Sequence, residues 1–393
     1  MTRKNTDHTP PHKDITAVLV LGDGSIFWGF GVGAEKDIVG EVCFNTSITG
    51  YQEILTDPSY AGQIITFTFP HIGNVGTNDD DMESIGTAAR GLVIRENITD
   101  PSNFRSRQHL NSWCRARGLV GISGIDTRRL TRYIRKNGAP NGVISHNPDG
   151  KFDIPALIEK AANWPGLEGM DLAKEVSCTE SYVWDEVRWT LNDGYLNLDA
   201  PKVHIVAVDY GVKRNILRCL ATTGARITVV PATTSARDIL ALKPDGIFLS
   251  NGPGDPAATG VYAIAVIQDL LDSNIPLFGI CLGYQMLALA IGAKTAKMYQ
   301  GHRGANHPVM DYNTGKVEIT SMNHGFMVDK DSLPEDAIIS HISLFDQTLC
   351  GFELKDRPVF SVQHHPEASP GPQDSHYLFD RFMEMIEKHA KTY

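Results

Sequence analysis

The chain has 393 residues and a formal net charge of −10 at pH 7, with 42% hydrophobic and 21% charged residues. This length suffices for two domains with buried cores, and the acidic balance argues against a nucleic-acid-binding protein. The six cysteines are scattered and form no C-x-x-C pair, which argues against a zinc site or a disulfide framework and fits a reducing compartment. We therefore expect a cytoplasmic protein.

Two apolar stretches invite comparison with targeting and membrane segments. The first, residues 15–21, follows residues 1–14, which we predict to be a disordered polar tail. It is followed by Asp23 and lacks a small-residue cleavage site, so a signal peptide is not expected. The second has no charged residue between Asp272 and Lys294. Because proline, glycine and glutamine punctuate it, we predict a buried strand and a core helix, with no membrane association.

The first part of the chain, residues 15–165, predicts a smaller α+β domain. Short apolar runs alternate there with Gly, Pro, Asn and Asp turn signals, which is typical of several strands with intervening helices. Residues 91–136 carry ten basic side chains against three acidic ones. This local excess indicates either a surface for an acidic partner or simply two solvated helix faces.

The pattern changes after residue 201. Residues 166–201 show little periodicity, and we predict them to be a connector between domains. From residue 203 to residue 290, apolar strands alternate regularly with helices. This predicts that residues 202–390 form an α/β domain built on a doubly wound, mostly parallel sheet. Ligands bind beyond the carboxyl ends of such strands. The loops at 209–211, at 250–256 and around Cys281 lie at that edge.

Cys281 lies between an apolar strand and an amphipathic run, with Gly279 and Gly283 two residues away on either side. This spacing predicts a strand–turn–helix elbow that lifts the thiol above the sheet as a nucleophile. The alternative is a buried structural cysteine between two packing glycines, which is the commoner kind of cysteine.

Two further segments supply the groups that a thiol nucleophile needs. The loop at 251–255 has Gly252 and Gly254 on either side of a proline, which predicts a rigid loop for an oxyanion, although an ordinary turn has the same composition. A β-rich run ends in His365, and Glu367 follows two residues later. An imidazole after a strand, oriented by a nearby carboxylate, is the base that activates a thiol. A lone histidine, by contrast, is more often structural.

Together, these motifs resemble the class I glutamine amidotransferase family over about residues 202–388. The resemblance implies a flavodoxin-like amidotransferase domain. Further stretches are similar to the small-subunit family of carbamoyl-phosphate synthetases, so that the resemblance runs nearly end to end: Phe44–Tyr60, Pro70–Gly76, Gly121–Arg128 and Gly301–Val309. The chain departs from that family at two positions, with Tyr284 in place of the usual histidine and Met322 in place of the usual glutamine.

The resemblance implies a catalytic set and its chemistry. Cys281 would attack the γ-carboxamide of L-glutamine to form a thioester, His365 would transfer protons, and Glu367 would orient His365. His364 would be a supporting residue. The implied glutamine-binding residues are Ser59, Gly252, Gly254, Leu282, Gln285, Asn323, Gly325 and Phe326. Since Ser59 belongs to the first domain, the site would draw on both domains.

The resemblance also implies a division of labour with a large subunit. The ammonia would pass to that subunit, which would join it to bicarbonate with ATP to make carbamoyl phosphate for pyrimidine and arginine synthesis. We expect no cofactor and no metal on this chain, because ATP and Mg²⁺ or K⁺ belong to the large subunit. The expected assembly is a heterodimer that can associate further.

Two other functions remain open on the sequence. A stand-alone thiol hydrolase, such as a γ-glutamyl peptidase, would use the same elbow and base without a partner and would not need the motifs of the first domain. A non-catalytic regulator would use Cys281 as a redox sensor. The His365–Glu367 pair argues against the regulator, because a sensor needs no oriented base.

Overall fold

The computed structural model describes residues 9–392. The chain divides into two compact units, Met1–Leu167 and Glu168–Tyr393. Most of the predicted disordered tail, residues 1–8, lies outside the described residues. Residues 9–14 contain no helix or strand.

Within its described residues, the first unit is a closed barrel of seven strands in the order β1-β2-β6-β5-β4-β3-β7. The neighbours β3–β4, β4–β5 and β5–β6 are parallel and the other pairs are antiparallel. The strands are β1 (Ala17–Leu21), β2 (Ile26–Gly33), β3 (Asp37–Asn45), β4 (Gln63–Phe67), β5 (Gly91–Val93), β6 (Val120–Ser123) and β7 (Asn141–His146). The helices are α1 (Tyr51–Thr56), α2 (Leu110–Ala116), α3 (Thr127–Asn137) and α4 (Ile154–Ala162).

Strand β1 is buried on both faces, which explains why its sequence is continuously apolar. Ala17, Leu19 and Leu21 pack among the inward-facing side chains of the barrel. Val18 and Val20 point the other way and pack against α4. Successive residues of a strand face opposite sides, so this strand is covered by the barrel core on one side and by a helix on the other.

The second unit is an α/β sheet with helices on both faces. Its strands are β8 (Tyr182–Trp184), β9 (Val203–Asp209), β10 (Ala225–Pro231), β11 (Gly246–Leu249), β12 (Leu277–Ile280), β13 (Thr295–Asp311), β14 (Lys316–Val328), β15 (Ala337–Ser343), β16 (Leu349–Leu354) and β17 (Val359–Val362). Its helices are α5 (Ala173–Val176), α6 (Arg214–Thr222), α7 (Ala236–Ala241), α8 (Pro256–Asp272), α9 (Leu282–Ala290) and α10 (Tyr377–Thr392).

The sheet order is β14-β13-β15-β16-β17-β12-β11-β9-β10-β8. The five central strands from β17 to β10 are parallel. Helices α7, α8 and α9 pack on one face and α6 and α10 on the other. This arrangement confirms the predicted doubly wound α/β fold and brings the carboxyl ends of β9, β11, β12 and β17 to one edge.

The segment predicted as a connector, residues 166–201, contains the short helix α5 and strand β8. Strand β8 pairs antiparallel with β10 and extends the sheet at its edge. Its short run of aromatic and β-branched residues suits a strand, but three residues are too few for a clear alternating pattern.

None of the helices formed by residues 9–392 is both long enough and apolar enough to cross a membrane.

Candidate active site

Cys281 occupies the sharp turn between β12 and α9. Its backbone angles are φ 54° and ψ −102°, a conformation that is uncommon for a residue with a side chain. Its amide donates a hydrogen bond to the carbonyl oxygen of Val362 at 2.9 Å, and its thiol lies 3.6 Å from the carbonyl oxygen of Asn323. The residue is 2% exposed. Contacts with Val362 and with Asn323 therefore hold this strained turn in place.

Two glycines allow this turn to form. A Cβ atom on Gly283 would come within 2.1 Å of the carbonyl oxygen of Leu249, and one on Gly279 would meet the backbone of Gly283 at 2.9 Å. The amide of Gly283 donates to the carbonyl oxygen of Ser250 at 2.9 Å. The start of α9 therefore packs against the end of β11 at a distance that only glycine permits.

His365 and Glu367 follow β17, which lies next to β12 in the sheet. The two strands are parallel, with Ile280 opposite Val362, so the residues after them emerge side by side. The Nδ1 atom of His365 lies 2.8 Å from Oε1 of Glu367. Both residues are 2% exposed.

The charges around His365 favour its protonated form. Burial lowers the pKa of the ring, but Glu367 and then Cys281 raise it more, to about 10. The influence of Cys281 includes a hydrogen bond to the ring, whereas Nε2 has no partner with good geometry among the described residues. We interpret this as a close but imperfectly aligned contact between thiol and imidazole, as is common before substrate binds.

Lys213 lies next to Glu367 and adds a third charged side chain after His365 and Glu367. It was not predicted from the sequence. Its Nζ atom donates to Oε1 of Glu367 at 2.8 Å, and both side chains are almost fully buried. Burial raises the pKa of Glu367, but Lys213 and then His365 lower it well below its usual range. Lys213 is the N-cap residue of α6. A cation at a helix N-terminus opposes the helix dipole, and this anomaly is the signal that could have identified it.

The loop after β11 lies beside the elbow. A Cβ atom on Gly252 would come within 2.1 Å of the carbonyl oxygen of Tyr210 and 2.9 Å of the Leu282 side chain. Gly254 directly precedes Asp255, whose side chain caps α8 by accepting from the amide of Ala257. This loop therefore lies next to Leu282, the first residue of α9.

The remaining residues predicted to bind glutamine in this unit lie on α9 and β14. Nε2 of Gln285 donates to the carbonyl oxygen of Phe326 and to Oε1 of Gln363, both at 2.9 Å. Asn323 contacts the thiol through its carbonyl oxygen. Gly325 lies between Asn323 and Phe326 on β14. These residues therefore surround the elbow.

Ser59 lies in the first unit, in a short 3-10 helix at Pro58–Tyr60 capped by Asp57. It is 6% exposed, and its amide donates to the side chain of Asp57 at 2.8 Å. Its role in glutamine binding stays a prediction.

The two positions that depart from the family pattern point into the core. Tyr284 is fully buried, its hydroxyl donates to the carbonyl oxygen of Leu349 at 3.2 Å, and its ring packs near Phe352. Met322 packs with Val309 and Cys350. Both side chains therefore contribute to core packing.

The first unit carries a basic cavity of about 760 Å³. Helix α3 contributes three exposed arginines to it, and the strand-end loops add two more basic side chains. The basic residues that line it are His71, Arg95, Arg128, Arg132 and Arg135. Four of the ten basic residues of 91–136 therefore lie on one surface, where Glu96 also lines the cavity. Such an excess of positive charge suits an acidic partner.

The second unit thus combines a thiol at a strained turn, an imidazole beside it, and a carboxylate and an ammonium group behind the imidazole. Residues 206–385 match the family described as Glutamine amidotransferase class-I, and residues 19–144 match Carbamoyl-phosphate synthase small chain, CPSase domain. A carbamoyl phosphate synthase small chain of Bradyrhizobium diazoefficiens is 62% identical over 98% of both chains. Those of Mesorhizobium japonicum and Rhizobium meliloti are 64% and 63% identical, each over 94% of both chains.

Proposed function

Since the chain belongs to the family of carbamoyl-phosphate synthase small chains, we propose that it hydrolyses L-glutamine to glutamate and delivers the ammonia to a large subunit. One observation carries the proposal. Cys281 and His365 follow adjacent parallel strands, and His365 is held from behind by the buried pair of Glu367 and Lys213. A thiol with an oriented base is the arrangement that cleaves carboxamides by nucleophilic catalysis.

In the first half of the reaction, the thiol proton of Cys281 moves to Nε2 of His365. The sulfur then forms a bond to the γ-carbon of glutamine, and the carbonyl π electrons move to the oxygen. The oxyanion then collapses, and the carbon–nitrogen bond breaks. His365 gives a proton to the leaving nitrogen, which departs as ammonia, and a γ-glutamyl thioester remains. The protonated ring needed for this step is favoured by the raised pKa of His365.

In the second half, His365 removes a proton from water, and the hydroxide oxygen attacks the thioester carbon. The carbon–sulfur bond breaks, glutamate leaves, and the proton returns to the sulfur. Glu367 keeps Nδ1 of the ring engaged through both halves, so that Nε2 faces the reacting atoms.

The developing oxyanion would accept hydrogen bonds from the amide of Leu282 and from the amide of Gly254 or its neighbour. The loss of one such donor typically costs about 10²–10³ in rate. Within the second unit, the substrate would be held by Gly252, Gln285, Asn323, Gly325 and Phe326.

The large subunit would use the ammonia with bicarbonate and ATP to form carbamoyl phosphate for pyrimidine and arginine synthesis. ATP and Mg²⁺ or K⁺ would bind to that subunit, and this chain would need no cofactor for hydrolysis. We place the contact with the partner at the basic cavity of the first unit, in a heterodimer that can associate further.

The test compares wild type with Cys281→Ser in complex with the large subunit. We expect the variant to lose glutamine-dependent carbamoyl phosphate synthesis, by a factor of at least about 10³, while synthesis from added ammonia continues. Glutamine-dependent synthesis by the variant would refute Cys281 as the nucleophile. If the wild type hydrolysed glutamine equally well without the large subunit and never supported synthesis with it, a stand-alone hydrolase would be the correct function.

A further inference from the structure

Three buried side chains of the second unit converge beside the antiparallel strands of the sheet. Glu318 lies on β14, His341 on β15, and His364 is the second residue after β17. One potential ligand atom from each lies within 4.8 Å of the other two. The three residues are at most 5% exposed. They are 23 or more positions apart in the chain, so only the folded sheet brings them together.

Four polar atoms of this cluster have no hydrogen-bond partner among residues 9–392. They are Oε2 of Glu318, Nε2 of His341 and both ring nitrogens of His364. A buried polar group without a partner is destabilising, and native interiors leave few of them unpaired. Unpartnered polar atoms on all three side chains of one buried cluster indicate that something else binds there.

The surroundings of His341 occupy one ring nitrogen and leave Nε2 without a hydrogen-bond partner among the described residues. Nδ1 lies 2.8 Å from the hydroxyl oxygen of Ser340, so that ring nitrogen is already engaged. Gly351 lies against the same edge of the ring, where a Cβ atom would come within 2.8 Å of Nδ1. Histidines that ligate metals are usually held in this way, with the second nitrogen bound to a neighbouring polar group.

A second carboxyl group lies next to the cluster. Asp311 is 1% exposed, and its Oδ1 lies 4.0 Å from Nε2 of His341. Thr314 and Tyr377 donate hydrogen bonds to its other oxygen, at 2.6 Å and 3.3 Å. With Glu318, two carboxyl groups thus lie beside two histidines in the protein interior. A water molecule would satisfy some of the unpaired atoms, whereas a cation would accept a lone pair from each of the three side chains.

We propose that Glu318, His341 and His364 bind one divalent cation of the zinc class. Two imidazole nitrogens and one carboxylate oxygen suit Zn²⁺ and related transition metals, whereas Mg²⁺ and Ca²⁺ prefer sites made of oxygen. Ligand atoms of a tetrahedral Zn²⁺ lie about 3.4 Å apart, so the three side chains would have to rotate toward one another to close the cluster around the ion. The absence of clustered cysteines, which argued against zinc in the sequence, does not bear on a site of this kind.

The ion would act as a structural element. His364 immediately precedes His365, and an ion bound to its ring would fix the main chain that carries the proposed base. It would also tie β14, β15 and the loop after β17 to one another. The cluster is linked to the proposed base, His365, through the backbone of His364. Metal binding can be measured independently of glutamine hydrolysis.

The experiment measures metal on the full-length protein. The protein is treated with a chelator, loaded with Co²⁺ and desalted, and bound metal is measured by mass spectrometry together with the visible absorption of coordinated Co²⁺. We expect one ion per chain in the wild type. Glu318→Gln and His341→Ala should bind at least about 10-fold more weakly, since each removes a ligand.

His307→Gln is the matched control, because His307 is also a buried histidine of this sheet but belongs to a separate group with His302. It should keep the ion. A wild type that retains no metal, or a Glu318→Gln variant that binds like wild type, would overturn the proposal. If a variant does not fold, the wild type still decides: Zn²⁺ must raise its melting temperature, and an unchanged melting temperature would also overturn the proposal.

Discussion

The buried ion pair between Lys213 and Glu367 determines how His365 is charged. A carboxylate that is removed from water is unstable unless a positive charge compensates it, and Lys213 lies 2.8 Å from Oε1 of Glu367. The same oxygen accepts from His365. With Lys213 in place, Glu367 stays ionised and holds the ring in one orientation. Lys213 is thus a positioning residue that acts through Glu367.

Replacing Lys213 by methionine should therefore shift the pH dependence of glutamine hydrolysis. The folded pKa of Glu367 lies below its ordinary value, so the stability that it contributes is present above about pH 4.5 and is lost as the pH falls through the folded pKa. Without Lys213, the pKa of Glu367 rises. The acid limb of the pH profile, where kcat/KM falls as the pH is lowered, should therefore move to higher pH. We expect kcat to fall at least about tenfold, a part of the 10²–10⁴ that acid–base catalysis contributes.

Lys213→Arg is the control for this prediction, since it keeps a positive charge next to Glu367. It should restore the position of the acid limb even if packing changes lower kcat. A methionine variant with an unchanged acid limb would show that Lys213 serves only the fold. The measurement is kcat/KM from pH 5 to pH 9 with the large subunit present.

At the residue scale, the sequence indicated the thiol, the base and the carboxylate because each lies in a short motif. It did not indicate Lys213 because its partner is 154 positions away. The sequence did not indicate the cluster of Glu318, His341 and His364 either, because these residues are also far apart in the chain. Contacts of this kind depend on strand order, which no single motif encodes.

At the scale of elements, the turn between β12 and α9 depends on how closely α9 approaches β11. Gly283→Ala would place a methyl group 2.1 Å from the carbonyl oxygen of Leu249, so the helix must move away and carry Cys281 with it. Overpacking of this kind costs about 1–3 kcal/mol. A displacement of about 1 Å at a reacting group can lower the rate about 10²-fold. For Gly283→Ala we therefore expect the free energy of unfolding to fall by about 1–3 kcal/mol. We expect kcat to fall about 10²-fold.

The matched control is Gly86→Ala, because a Cβ atom at Gly86 would meet nothing within 4 Å. Its thermal midpoint and kcat should equal those of the wild type. Thermal melting and glutaminase assays of both variants provide the comparison. Wild-type kcat in Gly283→Ala would show that α9 can shift without disturbing the thiol.

The elements of the second unit were easier to predict than those of the first. Parallel strands alternate with helices from β9 to α9, and this local pattern is what predicted the α/β domain. The first unit was predicted only as α+β. Its closure into a barrel requires β1 to pair with β7, for example Ala17 with His146. Pairing across more than a hundred residues leaves no local pattern, because both strands look like ordinary buried strands.

At the scale of the whole molecule, the positions of the charges matter more for association with a partner than the net charge does. The chain carries −10 overall, yet Arg128, Arg132 and Arg135 line one cavity of the first unit. Such a patch speeds association with an acidic surface and does so less at high salt. Both the family membership and the proposed delivery of ammonia require a large subunit, so this patch is the natural place to test for its docking.

The triple variant Arg128→Glu, Arg132→Glu, Arg135→Glu should associate with the large subunit at least about tenfold more slowly at low salt, because rim charges act mainly on the association rate. Its association should also depend less on salt than that of the wild type. The matched control reverses three exposed cations of the second unit, Arg237, Lys294 and Lys330, and has the same net charge. Association rates at two salt concentrations separate the alternatives. If both triple variants slow association equally, net charge is the cause and the patch has no special role; if only the first does, the cavity faces the partner.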